Sequence, residues 1–103
     1  MQAITAYKRI DLKKARKAAK KLHAMDHPLR RRIMMYIYEK GEITVTDIWI
    51  YFRIDQSIIS QHLSMLRRAG WVNTNRMGKN IFYSVNENEL TRVKEILSKF
   101  NKL

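Results

Sequence analysis

Apolar positions recur along this chain at helical spacing in five stretches and at strand-like spacing in two. From about Asp11, a candidate N-cap, to His23, the residues Leu12, Ala15, Ala18, Ala19 and Leu22 fall on one arc at about 100° per residue. Lys13, Lys14, Arg16, Lys17, Lys20 and Lys21 fall on the opposite arc, so the first helix is amphipathic with a cationic back. Pro28 opens a second helix, at a position where its missing N–H costs nothing. Leu29, Ile33, Tyr36 and Ile37 form its stripe and Gly41 stops it. Thr44 caps a short third helix, with Asp47 three residues on, and Ile48, Ile50, Tyr51 and Phe52 supply its bulk.

After Arg53-Ile54-Asp55, a fourth helix runs from its N-cap Asp55 to Ala69 and ends at Gly70. A short helix, a tight turn and a longer helix make a helix-turn-helix over residues 44–69. Residues 71–85 then read as a β-hairpin, two strand-like runs around Met77-Gly78-Lys79. A last helix over 87–100 carries Leu90, Val93, Ile96, Leu97 and Phe100 at spacings of three and four. The order α-α-α-α-β-β-α predicts a mainly α fold with a small β-hairpin, a winged helix-turn-helix. Pro28 and the three glycines punctuate this series, and no repeat, linker or low-complexity tract divides it, so a single domain over 1–103 is expected.

Charge narrows the function. The 21 Lys and Arg against 9 Asp and Glu give a net charge of +12, which points to a polyanionic partner, nucleic acid or anionic lipid. No window approaches the roughly 18 unbroken apolar residues of a membrane span, and the first residues lack the apolar core of a signal peptide. A soluble, intracellular protein is expected. Cysteine is absent, which excludes disulfides, thiolate metal sites and thiol-based sensing by this chain.

The fourth helix is the most informative segment. Gln56, Ser57, Ser60, Gln61, Ser64, Arg67 and Arg68 lie on one side of it, and Ile58, Ile59, His62, Leu63, Met65 and Leu66 on the other. The polar side carries only Gln and Ser in its first two turns, whereas a merely solvated face is ordinarily richer in Glu and Lys. Short hydroxyls and amides approach base edges, Gln can bridge adenine N6 and N7, and arginines further along hold phosphate. At the hairpin tip Arg76, Lys79 and Asn80 surround Gly78, suited to the DNA backbone or the minor groove, against the alternative of an ordinary charged turn. His62 sits mid-way along the apolar face without an acid or second histidine near it in sequence, and is assigned a structural role.

Three segments carry a family resemblance. Asp26-His27-Pro28-Leu29-Arg30-Arg31-Arg32-Ile33, the run from Asp55 to Val72 with its S-x-H-L and L-R-x-A-G-x-V patterns, and Arg76 to Val85 together resemble the arsenic-repressor (ArsR-like) family of winged-helix regulators over about residues 26–86. The resemblance implies a homodimer built from the first and last helices, an inverted-repeat operator, and a fourth helix in the major groove. The chain departs from the metal-sensing members. Glu42 to Trp49 has no thiol, and the last helix has no His and only Glu87, Glu89 and Glu95 as acids, so no metal response and no cofactor are expected.

For the dimer the candidate residues are Leu12, Ala15, Ala19 and Leu22 of the first helix and Leu90, Val93, Leu97 and Phe100 of the last. Each stripe could instead pack on the chain's own core. A helix-turn-helix reading a palindrome needs two copies about 34–36 Å apart, which favours the dimer. The run from Lys8 to Lys21 holds eight positive residues and one acid. It could lie on an anionic membrane, but its apolar face is largely alanine, without Trp or Phe as anchors. No Ser/His/Asp arrangement, carboxylate pair or phosphate-binding Gly loop marks an enzyme. An RNA-binding or protein-interaction module remains as the alternative. Phe82 and Tyr83 are adjacent and cannot form one stacking platform, and a pure interaction module would not need the basic wing tip. The sequence therefore predicts a DNA-binding transcriptional regulator, a dimeric repressor with no membrane partner, and it names no effector.

Overall fold

The computed structural model describes residues 2–92 and 95, with side chains from Leu12 onward. Its elements are α1 (Gln2–Met25), α2 (Pro28–Lys40), β1 (Glu42–Thr44), α3 (Val45–Phe52), α4 (Gln56–Arg68), β2 (Val72–Met77) and β3 (Asn80–Val85), followed by helical residues 87–92. This is the expected mainly α winged helix-turn-helix, with one strand more than the hairpin alone. β1 pairs antiparallel with β3 (Ile43 opposite Tyr83), giving a three-stranded sheet in the order β1-β3-β2. Asp11 proves not to start the first helix: α1 is continuous from Gln2 through it, so this residue lies inside the helix rather than at its cap.

Local chemistry sets the other boundaries. His27 caps α2, its Nδ1 accepting from the Leu29 N–H at 3.1 Å, with Pro28 in the first turn. Thr44 caps α3 through its hydroxyl, which accepts from the Asp47 N–H at 3.2 Å. Asp55 occupies the N-cap of α4 but makes no side-chain cap bond; only its backbone carbonyl engages the helix, accepting from Ile58 and Ile59 at 3.1 Å. Asn86 caps the last helical stretch, accepting from the Glu89 N–H and donating to the Gly70 carbonyl.

The core lies between α2, α3, α4 and the sheet. Ile33 and Ile37 of α2, Ile48 of α3 and Ile59, Leu63 and Leu66 of α4 are fully buried, joined by Trp71, Val72 and Ile43. Burying each of these side chains contributes about 1.5–3 kcal/mol. Tyr36 of α2 stacks on Tyr51 of α3 at 3.9 Å, with Phe52 edge-on to both.

α1 is held differently. Donors from the rest of the molecule reach the carbonyls of its last two turns. Trp71 Nε1 donates to the Lys21 carbonyl at 2.8 Å, Arg30 to that of Ala24, and Arg31 to that of Met25 at 2.9 Å. Lys21 also pairs with Glu89. On the arc of Leu12, Ala15, Ala18, Ala19 and Leu22 little is covered: Leu12 is 53% exposed and Leu22 39%.

Candidate nucleic-acid interface

α4 is fixed by its buried face. Ile59, Leu63 and Leu66 recur at spacings of four and three and are wholly buried, which turns the opposite side of the helix outward. Gln56, Ser57, Ser60, Gln61, Arg67 and Arg68 are exposed there, and Ser64 is half-buried. The predicted apolar side is narrower than its composition suggested. Ile58 is 44% and Met65 39% exposed, because a helix resting on one layer buries only the centre of its stripe. The outward face presents amides and hydroxyls in its first turns and two guanidinium groups in its last.

The wing is a two-residue hairpin. Met77 pairs with Asn80 and Arg76 with Ile81, and Gly78 takes φ 64°, a left-handed conformation suited to glycine at the first central position of a type II′ turn. The root is anchored by buried Trp71 and Val72, while every residue from Asn73 to Ile81 is exposed. Arg76, Lys79 and Asn80 therefore share the free tip. Strand alternation places Asn73, Asn75, Met77 and Asn80 on one face of the hairpin, and Arg76 with Ile81 on the other.

Of the predicted dimer residues, Leu12, Ala15, Ala19 and Leu22 are exposed on α1, and Leu90 is half-buried against the core. Val93, Leu97 and Phe100 lie outside the described residues. Among the described residues no group of three His, Cys, Asp or Glu is placed to hold a metal, and no helix is long and apolar enough to cross a membrane.

Sequence reasoning missed what lies beneath α4. His62 is half-buried, as a structural residue would be, but it has partners distant in sequence. Its Nδ1 lies 3.2 Å from Arg30 Nη1, and its ring centroid is 4.7 Å from that of His27. Arg30 is only 6% exposed and also reaches Met65 Sδ at 3.2 Å. Burial, with the charges of His27 and Arg30, lowers the His62 pKa below its ordinary value. His27 and Arg30 stand in the first of the family-like segments, so that signal was present, but nothing in sequence connects them to residue 62.

A helix-turn-helix seated on a common core by one face, followed by a basic wing, defines a winged helix-turn-helix regulator. The model described as "Bacterial regulatory protein, arsR family" matches residues 27–74. The chain is 33% identical over 85 residues to the transcriptional activator HlyU of Vibrio cholerae, covering 82% of this chain and 78% of that one. It is 32% identical over 80 residues to the transcriptional repressor PagR of Bacillus anthracis, covering 78% and 80%. The solved structure of HlyU from Vibrio cholerae superposes with a TM-score of 0.71 at 31% identity, over 88% of this chain and 98% of that one. An ArsR-like regulator from Rhodococcus shares the fold, with a TM-score of 0.79 at 18% identity over 86% and 83%. The chain belongs to the arsR family of bacterial regulatory proteins. At the level of the family it is a DNA-binding helix-turn-helix transcriptional regulator.

Proposed function

We propose that this chain is a homodimeric repressor that binds an inverted-repeat operator, working in the cytoplasm at the nucleoid. The carrying observation is the outward face of α4, where Gln56, Ser57, Ser60 and Gln61 stand exposed above a wholly buried Ile59-Leu63-Leu66 stripe. Such a face reads base edges in the major groove, Gln61 by a two-point contact to adenine, while Ser64, Arg67 and Arg68 continue it toward phosphate. Arg76, Lys79 and Asn80 at the wing tip engage the flanking backbone or minor groove. The half-exposed arc of Leu12, Ala15, Ala19 and Leu22 supports a second copy packing along α1, with Leu90, Val93, Leu97 and Phe100 contributed by the last helix. The similarity to PagR and to the biofilm growth-associated repressor of Agrobacterium fabrum supports repression, while HlyU among the relatives is named an activator.

Replacing Ser60 and Gln61 by Ala tests the assignment. Loss of a two-point base contact costs about 1–3 kcal/mol in each half-site, so the operator affinity of a dimer falls by roughly 30-fold or more while affinity for unrelated duplex stays nearly unchanged. An equal loss on both DNAs would overturn base reading by α4.

A further inference from the structure

Arg30 is a buried cation that no carboxylate among the described residues neutralises. Asp26, the acid nearest to it in sequence, is 82% exposed at its side chain and approaches Arg31 instead, at 3.9 Å. What Arg30 has are acceptors from two other helices: the Ala24 carbonyl at the end of α1, and His62 Nδ1 with Met65 Sδ on α4. One side chain of α2 therefore ties the end of α1 to the middle of α4.

The chemistry of this joint depends on the state of one imidazole. A guanidinium has donors only, so at 3.2 Å the His62 Nδ1 must accept, and the ring is the neutral tautomer with its proton on Nε2. His62 can take up a second proton only at Nδ1, where the Arg30 N–H already points. Protonation would leave two donors facing one another and set a new positive charge beside Arg30, with the His27 ring 4.7 Å away. His27 cannot rescue the bond, because its own Nδ1 is committed to the Leu29 N–H as the cap of α2. The groups whose charge acts on His62 are His27 and Arg30; among the described residues of α1, the Ala24 carbonyl at its end is taken by Arg30. Burial opposes protonation most strongly, and the charges of His27 and Arg30 add to it, in line with the lowered pKa.

We propose that Arg30 and His62 are positioning residues for α4, and that protonation of His62 breaks this joint, so that operator binding weakens as the pH falls. The proposal rests on the reading of α4 as the DNA-contacting helix. Its sign is opposite to that of simple electrostatics, in which protonating histidines on a basic protein strengthens binding to a polyanion.

The test is operator affinity by fluorescence anisotropy at constant ionic strength from pH 8 to 5.5, for the wild type and His62→Gln. Glutamine offers Arg30 an amide oxygen that does not titrate. The wild type should lose affinity as the pH falls through the lowered His62 pKa, approaching tenfold per pH unit for each coupled proton and so about a hundredfold for the two protomers of a dimer, and His62→Gln should be flat. Wild-type affinity that stays level or rises on acidification, or a variant with the wild-type slope, would overturn the proposal. A second readout needs neither the variant nor DNA: imidazole and amide NMR of the wild type. It should give the Nε2–H tautomer for His62 at pH 8, with the amides of Ile59 to Leu66 shifting as His62 titrates. An Nδ1–H tautomer, or α4 amides that ignore the titration, would equally overturn it. Absence of operator binding at pH 8 would instead mark the failure of the DNA-binding reading, with the NMR result still deciding the joint.

Discussion

Removing the wing's charges gives a result whose size depends on how many wings touch DNA. Arg76 and Lys79 are exposed, and among the described residues neither enters an ion pair, so Arg76→Ala with Lys79→Ala should change folding stability by less than about 0.5 kcal/mol. The tip stands five residues beyond the buried root at Val72, about 17 Å at a strand's rise per residue, far enough to reach phosphates beside a groove that α4 would enter on the proposed reading. Each phosphate neutralised contributes about 0.9 to the slope of log K against log salt. If both side chains contact phosphate, the double variant lowers the slope by about 1.8 for one wing and about 3.6 for the two wings of a symmetric dimer. Fluorescence anisotropy of a labelled duplex across 50 to 200 mM salt (a range of about that order being enough to resolve the difference) measures it directly. An unchanged slope would remove the wing from the DNA contacts, and a drop near 1.8 would mean two phosphate contacts in the complex rather than four.

Other expectations concern how the site is held. Leu63→Ala should cost about 2–5 kcal/mol in urea or thermal unfolding, since the side chain is wholly buried under α4; a cost below 1 kcal/mol would place this residue outside the core. Thr44→Ala removes the cap of α3 and should cost about 1 kcal/mol, whereas Asp55→Ala should cost much less because its side chain makes no cap bond, and equal losses would contradict that difference. Gly78→Ala should strain the hairpin turn by about 1–2 kcal/mol at φ 64°, seen as broadened or shifted amides from Arg76 to Ile81. Because the folded state lowers the His62 pKa, the unfolded chain binds more protons below about pH 6.5, so His62 contributes stability at neutral pH that is lost as the pH falls. The His62→Gln protein should show less of that loss in denaturant titrations between pH 7 and 5.

Much of the architecture was legible because its signals are local. Pro28, Gly41, Gly70 and Gly78 each stand where an element starts, ends or turns, and the three fully buried residues of α4 follow a spacing that reads directly from sequence. β1 was not legible: three residues are too few to show alternation, and Glu42–Thr44 is a strand only through its pairing with β3, some forty residues on. The start of α1 was misplaced because Asp11 is a good N-cap by residue type, and capping preference does not register when the helix simply continues past it. The exposed face of α4 and the wing tip were identified as candidate surfaces from patterning alone. The Arg30–His62 joint was not, because composition places arginine outside, and only the fold brings residues 32 positions apart into contact beneath the helix.

The central claim is that the outward face of α4 reads sequence as part of a dimer. The most direct test is selection of bound duplexes from a random DNA library at near-physiological salt, followed by sequencing and alignment. The account predicts enrichment of an inverted repeat, its half-sites separated by a whole number of helical turns, about 10–10.5 base pairs or a multiple. A pool without an enriched motif, bound only at low salt, would contradict it and leave the chain a basic protein that holds DNA by charge alone.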